Sequence, residues 1–125
     1  TMSKINSFDI DGVIYLGPVF GGLYPGPNDV IITGRSFEEA PETLRMLESK
    51  GITNKVYFNP LPFDEKTRHS SGVHKARVIN ELGNIALHFE DDPIQMEAII
   101  DNTEGVQVVH IDHDLVEKEN VRHEF

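Results

Sequence analysis

The chain predicts an α/β layered domain on a mainly parallel five-stranded sheet. Short apolar runs rich in Ile, Val and Phe alternate with stretches of helical period. Most of these runs close in acidic or polar residues, and no internal repeat or low-complexity tract interrupts the alternation. Strands that alternate with helices pair in parallel, because each helix carries the chain back across a face of the sheet.

The elements follow in order. "KINSFDI" (4–10) reads as a first strand ending at two aspartates. Residues 12–28 hold five glycines and three prolines among aromatic and branched residues, which suggests a hairpin-like flap turning near Gly21-Gly22. "DVIIT" (29–33) is a compact second strand. In "GRSFEEAPETLRMLESKG", Ser36 and Glu39 have capping-box spacing, Pro41 pushes the regular helix toward a start near Glu38, Ala40, Leu44 and Leu47 form the inward face, and Gly51 stops it. "NKVYFN" (54–59) is a third strand and 60–72 a loop. "VHKARVINELG" (73–83) is a helix facing inward through Val73, Ala76, Ile79 and Leu82. "NIALHFEDD" (84–92) is a fourth strand, "PIQMEAIIDNT" a third helix with Pro93 in its first turn, and "VQVVHI" (106–111) a fifth strand before an acidic tail at about 112–125.

Length and composition set bounds. The 125 residues fit one domain over 1–125, and 38% apolar with 26% charged residues is ordinary for a globular protein. A formal net charge of −10 argues against an extended nucleic-acid groove, so an anionic ligand would need local positive charge. With no cysteine there are no thiolate metal sites, disulfides or cysteine nucleophiles. No apolar run approaches the ~20 residues of a membrane span, and "TMSKINS" does not read as a signal peptide, so a cytoplasmic location is expected.

Ligands on parallel sheets bind at the carboxyl ends of the strands. Strand one ends in Asp9 and Asp11, strand two in Thr33-Gly34-Arg35, strand three in Asn59, and strand four in Asp91-Asp92. The helix after strand three supplies Lys75. Carboxylates gathered at one edge repel unless a cation lies among them, and oxygen ligands without thiolate suit Mg²⁺. A metal, Lys75 and the Thr33 hydroxyl would suit the oxygens of a phosphoryl group. In an Asp-X-Asp pair one carboxylate can act as nucleophile while the other reaches the leaving oxygen as general acid.

"FDIDGVI", "VIITGR", Lys75 within "SGVHKARVINEL", and "LHFEDDP" together resemble the four ordered motifs of the haloacid dehalogenase-like (HAD) phosphohydrolases, over residues 5 to about 111. The resemblance implies a Rossmann-like fold and an aspartyl-phosphate mechanism. Asp9 would be the nucleophile. Asp11 would be the general acid and then base, and a Mg²⁺ ligand through its backbone carbonyl. Thr33 would bind the phosphoryl oxygens, and Lys75 would neutralise charge at the phosphate and nucleophile. Asp9 would also hold the metal together with Asp92, the direct ligand with Asp91 beside it, or with Asp91 in that place, since the motif leaves open which of the two touches the ion. With about twenty residues between Asp11 and Thr33, the chain looks capless. Such members act on phosphorylated small molecules or on phosphorylated ends of macromolecules, or use a homo-oligomeric neighbour as a lid. "TGR" and "EDDPIQ" are also similar to the 3′-phosphatase domain of phage-type polynucleotide kinase/phosphatases. Two further readings stay open: a catalytically silent HAD-fold binding or regulatory module, and phosphotransfer to an acceptor other than water.

Each candidate has a plainer reading. Asp9 and Asp11 alone would be a solvated strand-end turn, and Lys75 alone a solvated helix residue. Gly34 and Arg35 follow the motif threonine; Arg35 clamps a substrate anion or pairs with Glu38 or Glu39. "HIDHD" (110–114) holds metal-ligand types but also arises where a strand runs into an acidic loop. His69 and His74 line an entrance or are solvated. Tyr15, Phe20 and Tyr24 meet substrate or pack the flap.

Overall fold

The computed structural model describes residues 3–118; residues 119–125 of the acidic tail lie outside them. In chain order the elements are β1 (Ile5–Phe8), β2 (Tyr15–Leu16), β3 (Phe20–Gly21), β4 (Val30–Ser36), α1 (Ala40–Ser49), β5 (Val56–Asn59), α2 (Arg68–Leu82), β6 (Ile85–Glu90), α3 (Pro93–Asn102) and β7 (Gln107–His110). The main sheet has the order β5-β4-β1-β6-β7, and every neighbouring pair is parallel. The protein is thus α/β with a five-stranded parallel sheet flanked by helices.

Alternation along β4 explains the layers. Ile31 faces a cluster with Phe8, Ile10, Val13, Ile14 and Leu47 of α1. Its neighbours Val30 and Ile32 face the other side, against Val78 and Ile79 of α2, Ile85 of β6 and Ile99 of α3. Successive strand residues point to opposite faces, so an apolar run without alternation is buried on both. Truncating Ile31 or Ile32, both fully buried, to Ala would cost about 2–5 kcal/mol.

The strand order reverses at β1. From there the chain builds outward through β4 and β5, then crosses back to β6 and β7. The carboxyl end of β1, flanked by β4 and β6, is therefore the switch point where such sheets open a crevice.

Several elements differ from the sequence reading. The flap is a two-stranded antiparallel hairpin, but it turns at Gly17–Val19, with Gly17 at φ +87°, and not at Gly21-Gly22. Gly22 lies against the Val13 and Ile14 carbonyls, where a Cβ has no room, and the Leu23 amide donates to Val13 O at 2.9 Å. The capping box of Ser36 and Glu39 is present, but it opens a short 3-10 turn at Phe37–Glu39; α1 proper starts at Ala40, with Pro41 in its first turn. Its buried residues are Thr43 and Leu47, whereas Leu44 is exposed.

Helix α2 begins five residues before Val73, at Arg68. Thr67 caps it by accepting from the Ser70 amide at 3.0 Å, and Ser70 Oγ accepts from the Thr67 amide at 2.8 Å. Val73 is exposed, and the buried face is carried by His74, Lys75, Val78 and Ile79. Gly72 allows the close crossing with α3, since a Cβ there would lie 2.7 Å from Ala98 Cβ. Gly83, at φ +75°, ends the helix as expected. No helix of the described residues is long and apolar enough to cross a membrane.

Candidate active site

Asp9 immediately follows β1 and is wholly buried. Its Oδ1 accepts from the Ile10 amide at 2.9 Å and lies 2.9 Å from Lys75 Nζ. Lys75 reaches this point from α2 and is itself wholly buried, so it is not a solvated helix residue. Its ammonium also donates to Glu90 Oε1 at 2.8 Å. A buried ammonium is tolerated only with charged partners, and here two carboxylates supply them.

The ion pair continues into the sheet. His88 Nε2 lies 3.0 Å from Glu90 Oε1, and His88 Nδ1 lies 2.7 Å from Ser7 Oγ. Ser7 and His88 are paired across β1 and β6, while His88 and Glu90, two residues apart, share one face of β6. Burial pushes the Glu90 carboxyl up, but the Lys75 ammonium and the His88 ring outweigh it and hold Glu90 well below the usual carboxylate range. Burial lowers His88, against the Glu90 carboxylate, which raises it.

Asp91 completes an acid group. One oxygen from each of Asp9, Glu90 and Asp91 lies within 4.8 Å of the other two, and all three residues are wholly buried. Burial and the neighbouring Glu90 charge raise the Asp91 carboxyl, against the Lys118 ammonium, which lowers it. Asp91 Oδ1 is buried with no hydrogen-bond partner. Such an atom carries a desolvation cost that a cation would relieve. An all-oxygen donor set with one orphaned buried oxygen fits a hard divalent cation. Among the described residues this is the one group with that geometry.

The next aspartate has other work. Asp92 accepts from Arg68 Nε at 2.8 Å and Nη2 at 2.6 Å, from the Ile94 amide at 2.9 Å and from Gln95 Nε2 at 3.2 Å. It is the N-cap of α3, and the Arg68 guanidinium and the Ile94 amide overcome burial to keep its carboxyl low. Of the two aspartates left open as the direct metal ligand, Asp91 lies in the acid group, while both Asp92 oxygens are committed to Arg68 and the helix end.

Asp11 is gripped by Arg35, with Nε donating to Oδ2 at 2.8 Å and Nη2 to Oδ1 at 2.6 Å. Nη1 of the same guanidinium donates to Thr43 Oγ1 at 3.1 Å. Glu38 accepts from the Phe63 amide, and Glu39 accepts from the Ser36 amide and meets Lys66 at 3.4 Å. Thr33 is wholly buried on β4, beside β1, and its Oγ1 accepts from the Arg35 amide at 3.0 Å. Gly34 offers its carbonyl to the buried Lys66 Nζ at 2.7 Å.

The "HIDHD" segment converges on Asp91. His110 Nε2 is 3.2 Å from the Asp91 carbonyl, and His113 Nε2 is 3.3 Å from Asp91 Oδ2. Lys118 Nζ donates to the Asp91 carbonyl at 3.0 Å and to Oδ2 at 3.2 Å. The segment forms no second cluster of metal geometry among the described residues. A cavity of about 380 Å³ opens beside it, lined by Asp11, Tyr15, Arg35, Phe63, Glu117 and Lys118. Of the flap aromatics, Tyr15 packs on the core, whereas Phe20 and Tyr24 are exposed. His69 is exposed and His74 buried, its ring lowered to about 4 mainly by burial.

Glu90, His88, Arg68 and Lys66 carry these contacts without having stood out in the sequence. Period-two alternation on β6 was the available signal for His88 and Glu90. Nothing local marks Lys66 as buried. No family model, no curated protein and no solved structure matches the chain.

Proposed function

We propose that the protein is a Mg²⁺-dependent phosphomonoester hydrolase of the haloacid dehalogenase-like type, working through a covalent phosphate on Asp9. The observation that carries this reading is the buried ion-pair chain Asp9–Lys75–Glu90, with Asp91 in the same acid group. It unites three of the four sequence segments whose motifs resemble that family, and the fourth, with Thr33, lies on the adjacent strand.

The carboxylate of Asp9, 2.9 Å from the Lys75 ammonium, attacks phosphorus as the bond to the leaving oxygen breaks. Asp11 gives that oxygen a proton, then takes one from the water that attacks the phosphorus and releases Asp9. In the resting geometry both Asp11 oxygens face Arg35, so Asp11 turns away from the guanidinium before it donates. Lys75 offsets the charge of the phosphoryl oxygens and the Thr33 hydroxyl orients them. Asp9, Asp91 and the Asp11 carbonyl are the groups that would hold Mg²⁺, which when bound neutralises phosphoryl charge.

One feature favours the binding-module reading instead: Arg35 and Lys118 already hold Asp11 and Asp91. Turnover of para-nitrophenyl phosphate with Mg²⁺ separates the two. The wild type hydrolyses it and Asp9→Asn does not. Activity surviving that substitution removes Asp9 from the nucleophile role, and an inert wild type that fails to trap beryllofluoride favours the module.

A further inference from the structure

We propose that His88 is a positioning residue for Lys75, acting through Glu90; this rests on the hydrolase reading for its kinetic consequence, though not for its geometry. A carboxylate oxygen that already faces the Lys75 ammonium accepts, so His88 donates its Nε2–H to Glu90 Oε1 at 3.0 Å. The Nδ1 lone pair then accepts the Ser7 hydroxyl at 2.7 Å, which fixes the tautomer. The Ser7–His88 register across two parallel strands makes this anchor rigid.

Glu90 Oε1 is thus shared between two donors, His88 Nε2 and Lys75 Nζ. Lysine is a flexible point charge with three donors, and two buried acids, Asp9 and Glu90, share it. With one approach to Oε1 filled by the imidazole, the ammonium is confined to the side on which Asp9 Oδ1 lies at 2.9 Å. Replacing His88 leaves Oε1 of Glu90 to Lys75 alone, with the Asp92 amide at 3.3 Å from Oε2 to hold the carboxylate, so Glu90 shifts and Lys75 follows it away from Asp9. A space-filling role alone would need no ring nitrogens; an apolar side chain would serve the core as well or better.

The test compares the wild type with His88→Leu, His88→Gln and Ser7→Ala. Turnover of para-nitrophenyl phosphate in Mg²⁺, thermal midpoints and the ¹⁵N resonance of the Lys75 ammonium are recorded for each. His88→Leu keeps its melting temperature and KM but loses about ten- to a hundredfold in kcat, as when a group that holds a catalytic residue is removed. His88→Gln, whose amide can still donate to Glu90, regains most of that loss, and Ser7→Ala shows a smaller one. Wild-type kcat in His88→Leu overturns the proposal, as does an equal kcat loss in Leu and Gln variants that tracks lowered stability. If the wild type itself is inert, the hydrolase reading fails and the Lys75 resonance decides. A shifted or exchange-broadened signal in His88→Leu, restored in His88→Gln, supports positioning; an unmoved one overturns it.

Discussion

Arg68, the first residue of α2, closes a two-pronged contact on Asp92, the N-cap of α3, with both N–O distances under 3 Å. One side-chain pair thereby ties two helix starts together at the edge of the acid group. Adjacent aspartates with the same chemistry are given unlike tasks by what surrounds them.

Asp92→Asn and Arg68→Ala should therefore act on stability. Loss of the charge-assisted pair lowers the unfolding free energy by about 2 kcal/mol, read from urea melts. Divalent-cation affinity, followed by Mn²⁺ titration, stays close to wild type in Arg68→Ala. Asp91→Asn gives the opposite pattern: weaker cation binding and little loss, or even a gain, in stability. The same loss of affinity in Asp92→Asn would place Asp92 in the cation site after all.

Lys75→Met should be inactive and also unstable. It leaves Asp9 and Glu90 facing each other in the interior, and breaking a buried pair from one side costs about 3–5 kcal/mol. Added Mg²⁺ should raise its melting temperature more than that of the wild type, since the cation then takes over part of the lysine's role. A variant as stable as wild type in chelator would contradict the pairing.

Lys118→Met should bind Mg²⁺ about three- to tenfold more tightly than wild type, by calorimetric titration. The ammonium competes with a divalent ion for the Asp91 carboxylate from a half-buried position. Equal affinities would show that the ion and the lysine use Asp91 independently.

Acid sensitivity should set in before the carboxylates titrate. His74 Nδ1 faces Arg77 Nη2 at 2.9 Å, and Nε2 faces the Tyr57 carbonyl at 3.4 Å, with Lys75 also nearby. Burial first, then these two cations, lowers its ring from 6.5 to about 4. Between those values the unfolded chain binds a proton that the folded chain refuses, so stability rises with pH across the window. It is lost as pH falls from about 6.5 toward 4, by up to about 3 kcal/mol. His74→Gln should flatten that segment of the stability curve, and an unchanged slope would exclude His74 as its source.

Much of the frame was legible because parallel α/β sheets bury their strands on both faces, which leaves unbroken apolar runs such as "VIIT". The strand ends then pointed to Asp9, which Lys75 meets at 2.9 Å, and to Asp11 and Thr33, which meet at Arg35. Other features depended on tertiary packing. "RHSSG" looks like a turn, yet the Thr67–Ser70 cap and the need for a glycine at the α2–α3 crossing make it helix. Leu44 and Val73 have helical spacing but lie on outward faces, because Thr43 and the polar His74-Lys75 pair take the inward ones. In "FEDD" three acids in a row, all of them wholly buried, offer no local way to decide which two join the acid group. Lys75 and Arg68 decide it, one from each end of the triplet.

Gly12, with φ +86°, adds a constraint that reaches across the chain. A Cβ at this position would collide with the Asp91 carboxylate and sit 2.7 Å from His113 Nε2. The turn after the first strand, the acid after the fourth and the histidine after the last share a space with no room for one methyl group. Sequence change at these three positions is consequently not independent: a residue larger than glycine at 12 demands a shorter one at 91 or a retreat of the segment around 113. The tolerance of any one of them to substitution is set by the other two.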